Sequence, residues 1–183
     1  GFGFDTRQNP LPDWPHAAEL RLDIRLDERL HLDLTSRNLG NAPLALSQAL
    51  HSYFAISDIH QVEVQGLDGC HYIETLEDWQ ERHQQGALRF TGETDRIYLD
   101  VPSRLRLHDA GWNRDLLLET RHSRSAILWN PWIDKAQRLS AFADDAWQRM
   151  LCIETANVLE DVVQLNAGER HRLDLRLSSE LIG

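Results

Sequence analysis

Three ionisable residues, His51, Asp95 and Glu154, each interrupt a short apolar stretch of the chain. These stretches are typical of β-strands that are half or fully buried, so a polar group inside one needs a partner or a function. A glutamate and a histidine facing one cavity form an acid–base pair that can take a proton from one substrate oxygen and deliver one to another. An aspartate beside them can orient substrate hydroxyls by accepting their hydrogen bonds.

An aromatic segment follows in the chain, with Trp129 and Trp132 on either side of Asn130 and Pro131. Indole rings beside an amide make an aromatic, partly polar wall that suits a sugar ring. The sequence therefore predicts Trp129 and Asn130 as substrate-binding residues. Core and loop packing is an equally good interpretation of the same segment.

Each ionisable residue also has a structural interpretation. A lone histidine such as His51 is more often satisfied in a core or at a surface than catalytic. Asp95 alone is typical of a turn or of the start of a strand. Glu154 either alternates outward to water or is held in a pocket, and the residues by themselves favour neither.

Other well-known catalytic motifs are missing. The chain contains no P-loop, Rossmann glycine pattern, paired-cysteine zinc site, HExxH motif or Gly-x-Ser-x-Gly elbow. Its nine histidines are scattered rather than paired at ligand spacing. No metal site is therefore predicted.

The surrounding pattern is that of short strands. Leucine and isoleucine alternate with charged residues over Leu20–Leu26 and again over Leu30–Leu34, which predicts an antiparallel hairpin with one wet face. Leu116–Thr120 and Ser125–Trp129 are predicted to form a second hairpin. Roughly a dozen such strands, without long intervening helices, predict an all-β antiparallel sandwich or barrel.

Three segments are expected to break this pattern. Residues 1–16 hold three of the six prolines and are predicted to be a loop or linker. Glu77–Gln85 is polar and lacks β-branched residues, which favours a helical turn or a long loop. Asp134–Met150 is expected to be mixed and partly helical.

Composition limits the class of protein. The 183 residues suit one domain, and 19 Lys and Arg against 29 Asp and Glu give a formal charge of −10. This charge disfavours nucleic acid and anionic membranes as partners, and no apolar run approaches the roughly 18–20 residues of a membrane span. Cys70 and Cys152 are expected to be reduced thiols in a cytoplasmic protein, although one disulfide is compatible with their spacing.

Four motifs together resemble the hexose-6-phosphate mutarotase family, the glucose-6-phosphate 1-epimerase branch of the aldose 1-epimerase-like proteins. They are Ala49–Phe54, Gly92–Tyr98, Trp129–Trp132 and Cys152–Asn157, in the family's order. Each motif is weak alone, but four in order are specific. The resemblance implies a galactose-mutarotase-type antiparallel β-supersandwich with the sugar site on a concave face.

The resemblance also implies roles. His51 resembles the family's general acid, Glu154 its general base and Asp95 its ligand for substrate hydroxyls. The implied reaction interconverts the α and β anomers of an aldohexose, expected to be a hexose 6-phosphate, and it needs no cofactor. The implied partner is a small sugar or sugar phosphate, and nothing predicts the oligomeric state.

The chain departs from the family at its start. The family's N-terminal strands, with their Gly-Gly, Trp-Pro and His-Gly-Phe-Ala-Arg motifs and the arginines thought to hold phosphate, have no counterpart here, so only the C-terminal two-thirds of the fold is expected. Arg96 and Arg104 are available, but nothing assigns them to phosphate. Because the chain opens on glycine, we expect it to be part of a longer protein. Missing strands would leave sheet edges unpaired and part of the pocket wall exposed, so we expect such a truncated chain to be a poor catalyst alone. A non-catalytic carbohydrate-binding or accessory sandwich domain is the alternative function.

Overall fold

The alternating leucine pattern forms a hairpin, as predicted. In the computed structural model, which describes residues 1–182, strand β2 (Ala18–Leu26) pairs antiparallel with β3 (Leu30–Asn38). Leu22 lies opposite Leu34, and both pack against the core. The turn is closed by Asp27, whose carboxylate accepts a hydrogen bond from the Arg29 amide at 3.0 Å.

This hairpin belongs to an eight-stranded sheet in which all neighbours are antiparallel. In spatial order its strands are β1 (Phe2–Asp5), β2, β3, β16 (Arg170–Leu181), β12 (Arg114–Arg121), β11 (Arg104–Asp109), β6 (Val62–Gln65) and β9 (Leu88–Arg89).

A second, six-stranded antiparallel sheet carries the ionisable residues of interest. In spatial order its strands are β5 (Gln48–Ala55), β14 (Met150–Asn157), β13 (Ser125–Asn130), β10 (Thr94–Leu99), β7 (His71–Glu74) and β8 (Gln80–His83). Two short strands, β4 (Leu44–Leu46) and β15 (Val163–Leu165), pair separately. The segment after β13 holds a short helix, α1 (Trp132–Ala136), and a 3-10 turn at Ala146–Arg149, so its partly helical prediction is confirmed.

The core lies between the two large sheets. The six-stranded sheet contributes Phe54, Leu128 and Ile153, and the eight-stranded sheet contributes Leu118 and Leu175, all in one buried cluster. Each such side chain contributes about 1.5–3 kcal/mol to stability when it leaves water. The inner face of the six-stranded sheet is thereby committed to the core, and its other face is left for a site.

Two predicted loops contain strands. Phe2–Asp5 of the predicted linker forms β1 on the edge of the large sheet, with Phe4 opposite Leu20. The prolines that suggested a loop begin only at Pro10, after the strand has ended. Gln80–His83 forms β8 because β7 supplies its backbone partners, despite a polar sequence.

The second predicted hairpin is wrong. β12 and β13 are consecutive, but β12 pairs with β11 and β16 whereas β13 pairs with β10 and β14. The link between them crosses from one sheet to the other, with His122 in the left-handed region at φ 62°. Alternation alone does not tell a hairpin from such a crossing, because the strands have the same pattern in both cases.

The remaining expectations concern thiols and membranes. Cys70 and Cys152 are both free thiols, as predicted. No helix within residues 1–182 combines the length and the apolar character that a membrane crossing requires.

Candidate active site

The register of β5 and β14 brings His51 and Glu154 together. The two residues lie directly opposite each other on adjacent antiparallel strands. His51 Nε2 lies 3.2 Å from Glu154 Oε1, and the side chains are 50% and 9% exposed respectively. An open imidazole thus covers a buried carboxylate, on the sheet face that points away from the core.

The next row on the same face brings in the other predicted residues. Cys152 lies opposite Tyr53 on one side and Trp129 on the other, and Trp129 lies opposite Asp95. Since side chains two apart share a face of a strand, this row stands beside the His51–Glu154 row. The sheet therefore gathers His51, Glu154, Asp95 and Trp129 at one place.

These residues line an open cleft of about 560 Å³. Its wall is formed by His51, Tyr53, Thr75, Trp79, Asp95, Ile97, Ile127, Trp129, Leu139 and Glu154. The cleft is mostly apolar, and the polar side chains of His51, Asp95 and Glu154 converge on it. This is the composition expected of a small-molecule site.

Volume alone does not select this cleft. Depressions of about 510 and 590 Å³ lie over the eight-stranded sheet. Their charged groups are largely used in surface ion pairs, such as Arg29–Glu119 at 2.7 Å and Arg21–Asp23 at 2.7 Å. In the six-stranded sheet, by contrast, the Glu154 carboxylate faces His51 and not an arginine.

Burial raises the pKa of both carboxyl groups in the cleft. Loss of water raises the pKa of Glu154, an effect that His51 opposes and Asp95 reinforces. Loss of water also raises the pKa of Asp95, against the attraction of Lys135. Glu154 is therefore a stronger base than an exposed glutamate would be.

Aromatic rings hold the imidazole in place. The Tyr53 ring stacks on His51 with centroids 4.9 Å apart and meets Trp129 edge-on at 6.4 Å. Tyr53 is 61% exposed, so its outer surface is free for a ligand. The sequence prediction missed Tyr53, although its position two residues after His51 places both side chains on one face.

The structure places Asn130 and Trp132 outside the cleft. Asn130 is fully buried, and its Nδ2 donates to the carbonyls of Trp147 at 2.8 Å and Met150 at 2.9 Å. Its Oδ1 accepts from the Trp132 amide at 2.9 Å, and the Trp132 ring packs on Trp147. The predicted sugar contact of Asn130 is thus replaced by a structural role, because its side chain points into the protein from β13.

The two available arginines are also elsewhere. Arg96 Nε donates to Glu74 at 2.7 Å and its guanidinium lies over the Tyr72 ring. Arg104 pairs with Glu119 on the eight-stranded sheet. Neither lines the cleft.

One group of possible metal ligands coincides with the cleft. Donor atoms of His51, Cys152 and Glu154 lie within 4.8 Å of one another. Within this group, Cys152 Sγ lies 3.2 Å from His51 Nδ1, and burial raises the pKa of the thiol.

Comparison with known proteins identifies the family of this chain. The chain matches the aldose 1-epimerase family over residues 2–178. It is 34% identical over 177 residues to "Putative glucose-6-phosphate 1-epimerase" of Cenchrus ciliaris, covering 94% of this chain and 54% of that protein. The protein of the same name from Escherichia coli is 30% identical over 148 residues, covering 80% and 49%. The chain spans about half the length of these curated relatives.

A solved structure confirms the predicted mutarotase-type sandwich. The crystal structure of a "putative mutarotase (YeaD)" from Salmonella typhimurium matches with a TM-score of 0.88 and 26% identity. The match covers 98% of this chain and 59% of that one. From its family match and its fold, the chain belongs to the aldose 1-epimerase family.

Proposed function

We propose that this chain carries the acid–base pair of a mutarotase, which interconverts the α and β anomers of an aldohexose. The observation that carries the proposal is the 3.2 Å contact between His51 Nε2 and Glu154 Oε1 at the open cleft. No cofactor is needed for this chemistry, because one proton leaves the sugar and one enters it. The family of the chain supports the same reaction.

The spacing of the pair suits the reaction. The anomeric hydroxyl and the ring oxygen of an aldose are bonded to the same carbon, so the base and the acid must be neighbours. Glu154 takes the proton of the anomeric hydroxyl while protonated His51 gives its Nε2 proton to the ring oxygen. The bond between the anomeric carbon and the ring oxygen breaks, and an open-chain aldehyde forms.

The return step uses the same groups with reversed roles. The aldehyde rotates about its bond to the next carbon and presents its other face. His51 Nε2 takes the proton back from the chain hydroxyl as that oxygen attacks, and Glu154 returns its proton to the aldehyde oxygen. Both side chains end in their starting protonation states, so the cycle is complete.

The remaining cleft residues supply recognition. The Asp95 carboxylate accepts hydrogen bonds from ring hydroxyls, and the faces of Trp129 and Tyr53 contact the apolar side of the sugar. The substrate is proposed to be a hexose 6-phosphate, on the strength of the names of two relatives. No arginine or lysine is among the residues that line the described cleft, although Lys135 lies close to its wall, with its Nζ 5.8 Å from the centroid of the Trp129 ring.

Replacing Asp95 with asparagine is expected to raise KM for the sugar about tenfold with a smaller change in kcat. The amide loses the charge that makes such hydrogen bonds worth about 1.5–3 kcal/mol, yet it keeps the size of the side chain. Steady-state kinetics of anomer exchange measure both constants. Asp134→Asn, an exposed aspartate on α1, is the matched control, and an unchanged KM in Asp95→Asn would remove Asp95 from recognition.

The function is tested by following freshly dissolved α-glucose 6-phosphate by polarimetry or NMR. The rate of equilibration should rise in proportion to protein concentration, above the buffer-catalysed background, and the final anomer ratio should not change. α-Glucose, tested in parallel, should react more slowly. A concentration dependence of zero with both sugars would overturn the proposal, and saturable sugar binding without turnover would support a carbohydrate-binding domain instead.

A further inference from the structure

Cys152 contacts the side of His51 that the proposed chemistry does not use. Its Sγ lies 3.2 Å from His51 Nδ1, whereas Nε2 on the other side of the ring faces Glu154. Cys152 is fully buried on β14, two residues before Glu154 and on the same face. The thiol also donates to Glu154 Oε1 at 3.9 Å, so the thiol, the imidazole and the carboxylate are in mutual contact.

The position of β5 at the sheet edge leaves the His51 imidazole without a neighbouring strand on its outer side. β5 is the outermost strand of the six-stranded sheet, and the His51 side chain is half exposed. The Tyr53 ring restrains the plane of the imidazole by stacking on it, but stacking does not distinguish the two ring nitrogens. The polar contacts do distinguish them, with Cys152 Sγ at Nδ1 and Glu154 Oε1 at Nε2.

We propose that Cys152 is a positioning residue for His51, whose thiol binds Nδ1 and so turns Nε2 towards Glu154 and the sugar. This inference rests on the proposed function for its catalytic consequence, although the ring orientation itself does not. A thiol can accept a hydrogen bond from Nδ1–H or donate one to bare Nδ1. The contact therefore survives both protonation states through which His51 passes.

The Cys152 thiol is an uncharged partner for His51, and this affects the acidity of the imidazole. Burial raises the pKa of the Cys152 thiol, with Glu154 adding to the effect, so the group stays protonated beside His51. A carboxylate in its place would hold the proton on the imidazole more tightly and weaken it as an acid. The thiol orients the ring without adding a second negative charge.

The test compares Cys152→Ala with Cys152→Ser. We expect the alanine variant to lower kcat about 10–100-fold at nearly constant KM, because a misplaced acid costs rate more than binding. Serine keeps a donor and acceptor of similar size and should restore most of the rate. Cys70→Ala, at the other free thiol, should behave as the unsubstituted protein.

A second readout separates orientation from activity. Nitrogen-15 NMR of His51 in the sugar-free protein should show that its Nδ1 and Nε2 shifts change in Cys152→Ala and return in Cys152→Ser. If the unsubstituted protein and both variants are inactive but the shifts change in Cys152→Ala, the positioning role is supported and the proposed function is excluded. Unchanged shifts in Cys152→Ala would overturn the positioning role, whatever the rates. If the unsubstituted protein is active, a serine variant as slow as the alanine variant would overturn it too.

Discussion

Glu154→Gln is expected to lower kcat for anomer exchange by about 10²–10⁴-fold, the range associated with loss of a positioned general base. The amide has the shape of the carboxyl group and fits the buried position, but it cannot accept the anomeric proton. Sugar binding should change little, because the cleft wall of Trp129 and Tyr53 is untouched. Exchange kinetics by NMR, with stability checked by thermal unfolding, measure this loss.

The pH dependence provides an independent signature of the same residue. Glu154 must be ionised to act as a base, so activity should fall as pH drops through its pKa. Burial raises this pKa above the ordinary 4.5, so the fall should begin at a higher pH than for an exposed glutamate. The residual activity of Glu154→Gln should lack this acid limb.

Matched variants make the result decisive. Glu81→Gln removes an exposed carboxylate from β8, at the far edge of the same sheet, and should leave kcat unchanged. His51→Asn should be about as damaging as Glu154→Gln, and the double variant little worse than either, since groups that act as a unit are not additive. Retention of more than a tenth of the activity in Glu154→Gln would exclude it as the base.

Asn130→Ala is expected to lower the free energy of unfolding by about 2–4 kcal/mol, the range for a buried side chain whose partners are left unsatisfied. The amide joins the end of β13 to three backbone groups, at Trp132, Trp147 and Met150. Its loss leaves one N–H and two carbonyls with no partner from this side chain. Asn130 thereby fastens the segment after β13 to the sheet.

Denaturant unfolding followed by tryptophan fluorescence measures this effect. Asn41→Ala, an exposed asparagine in a turn, should stay within about 0.5 kcal/mol of the unsubstituted protein. The KM of folded Asn130→Ala should match that of the parent, because Asn130 does not line the cleft. A higher KM with normal stability would instead favour the sugar contact first predicted for this residue.

Local pattern gave much of the fold. Alternation located the β2–β3 hairpin, and the apolar run around His51 located β5, because one face of each strand must be buried. The local sequence pattern did not identify β8, whose polar residues form a strand only because β7 lies alongside. It could not assign β12 and β13 to different sheets, since sheet membership depends on partners far away in the chain.

In the candidate site, too, local pattern predicts some features and contacts between distant segments determine the others. The face shared by His51 and Tyr53 follows from a period of two, but the pairing of His51 with Glu154 is a matter of register between distant segments. The motif resemblance grouped His51, Asp95 and Glu154, where spacing by itself could not. The buried position of Asn130 could not be read from local pattern, because its Nδ2 donates to carbonyls 17 and 20 residues further on.

The place of β5 at the sheet edge bears on how the protein acquires its chemistry. His51 and Cys152 are 101 residues apart in the chain, and β5 meets the six-stranded sheet only along β14. Closing so long a loop is entropically costly, and contacts of this range are characteristic of slowly folding β topologies. A shift of one residue in the pairing of β5 with β14 would turn the His51 side chain into the core and the Ser52 side chain into the cleft. The contact between His51 and Glu154, on which the proposed chemistry depends, is therefore absent from every partly folded form in which β5 and β14 are unpaired or out of register.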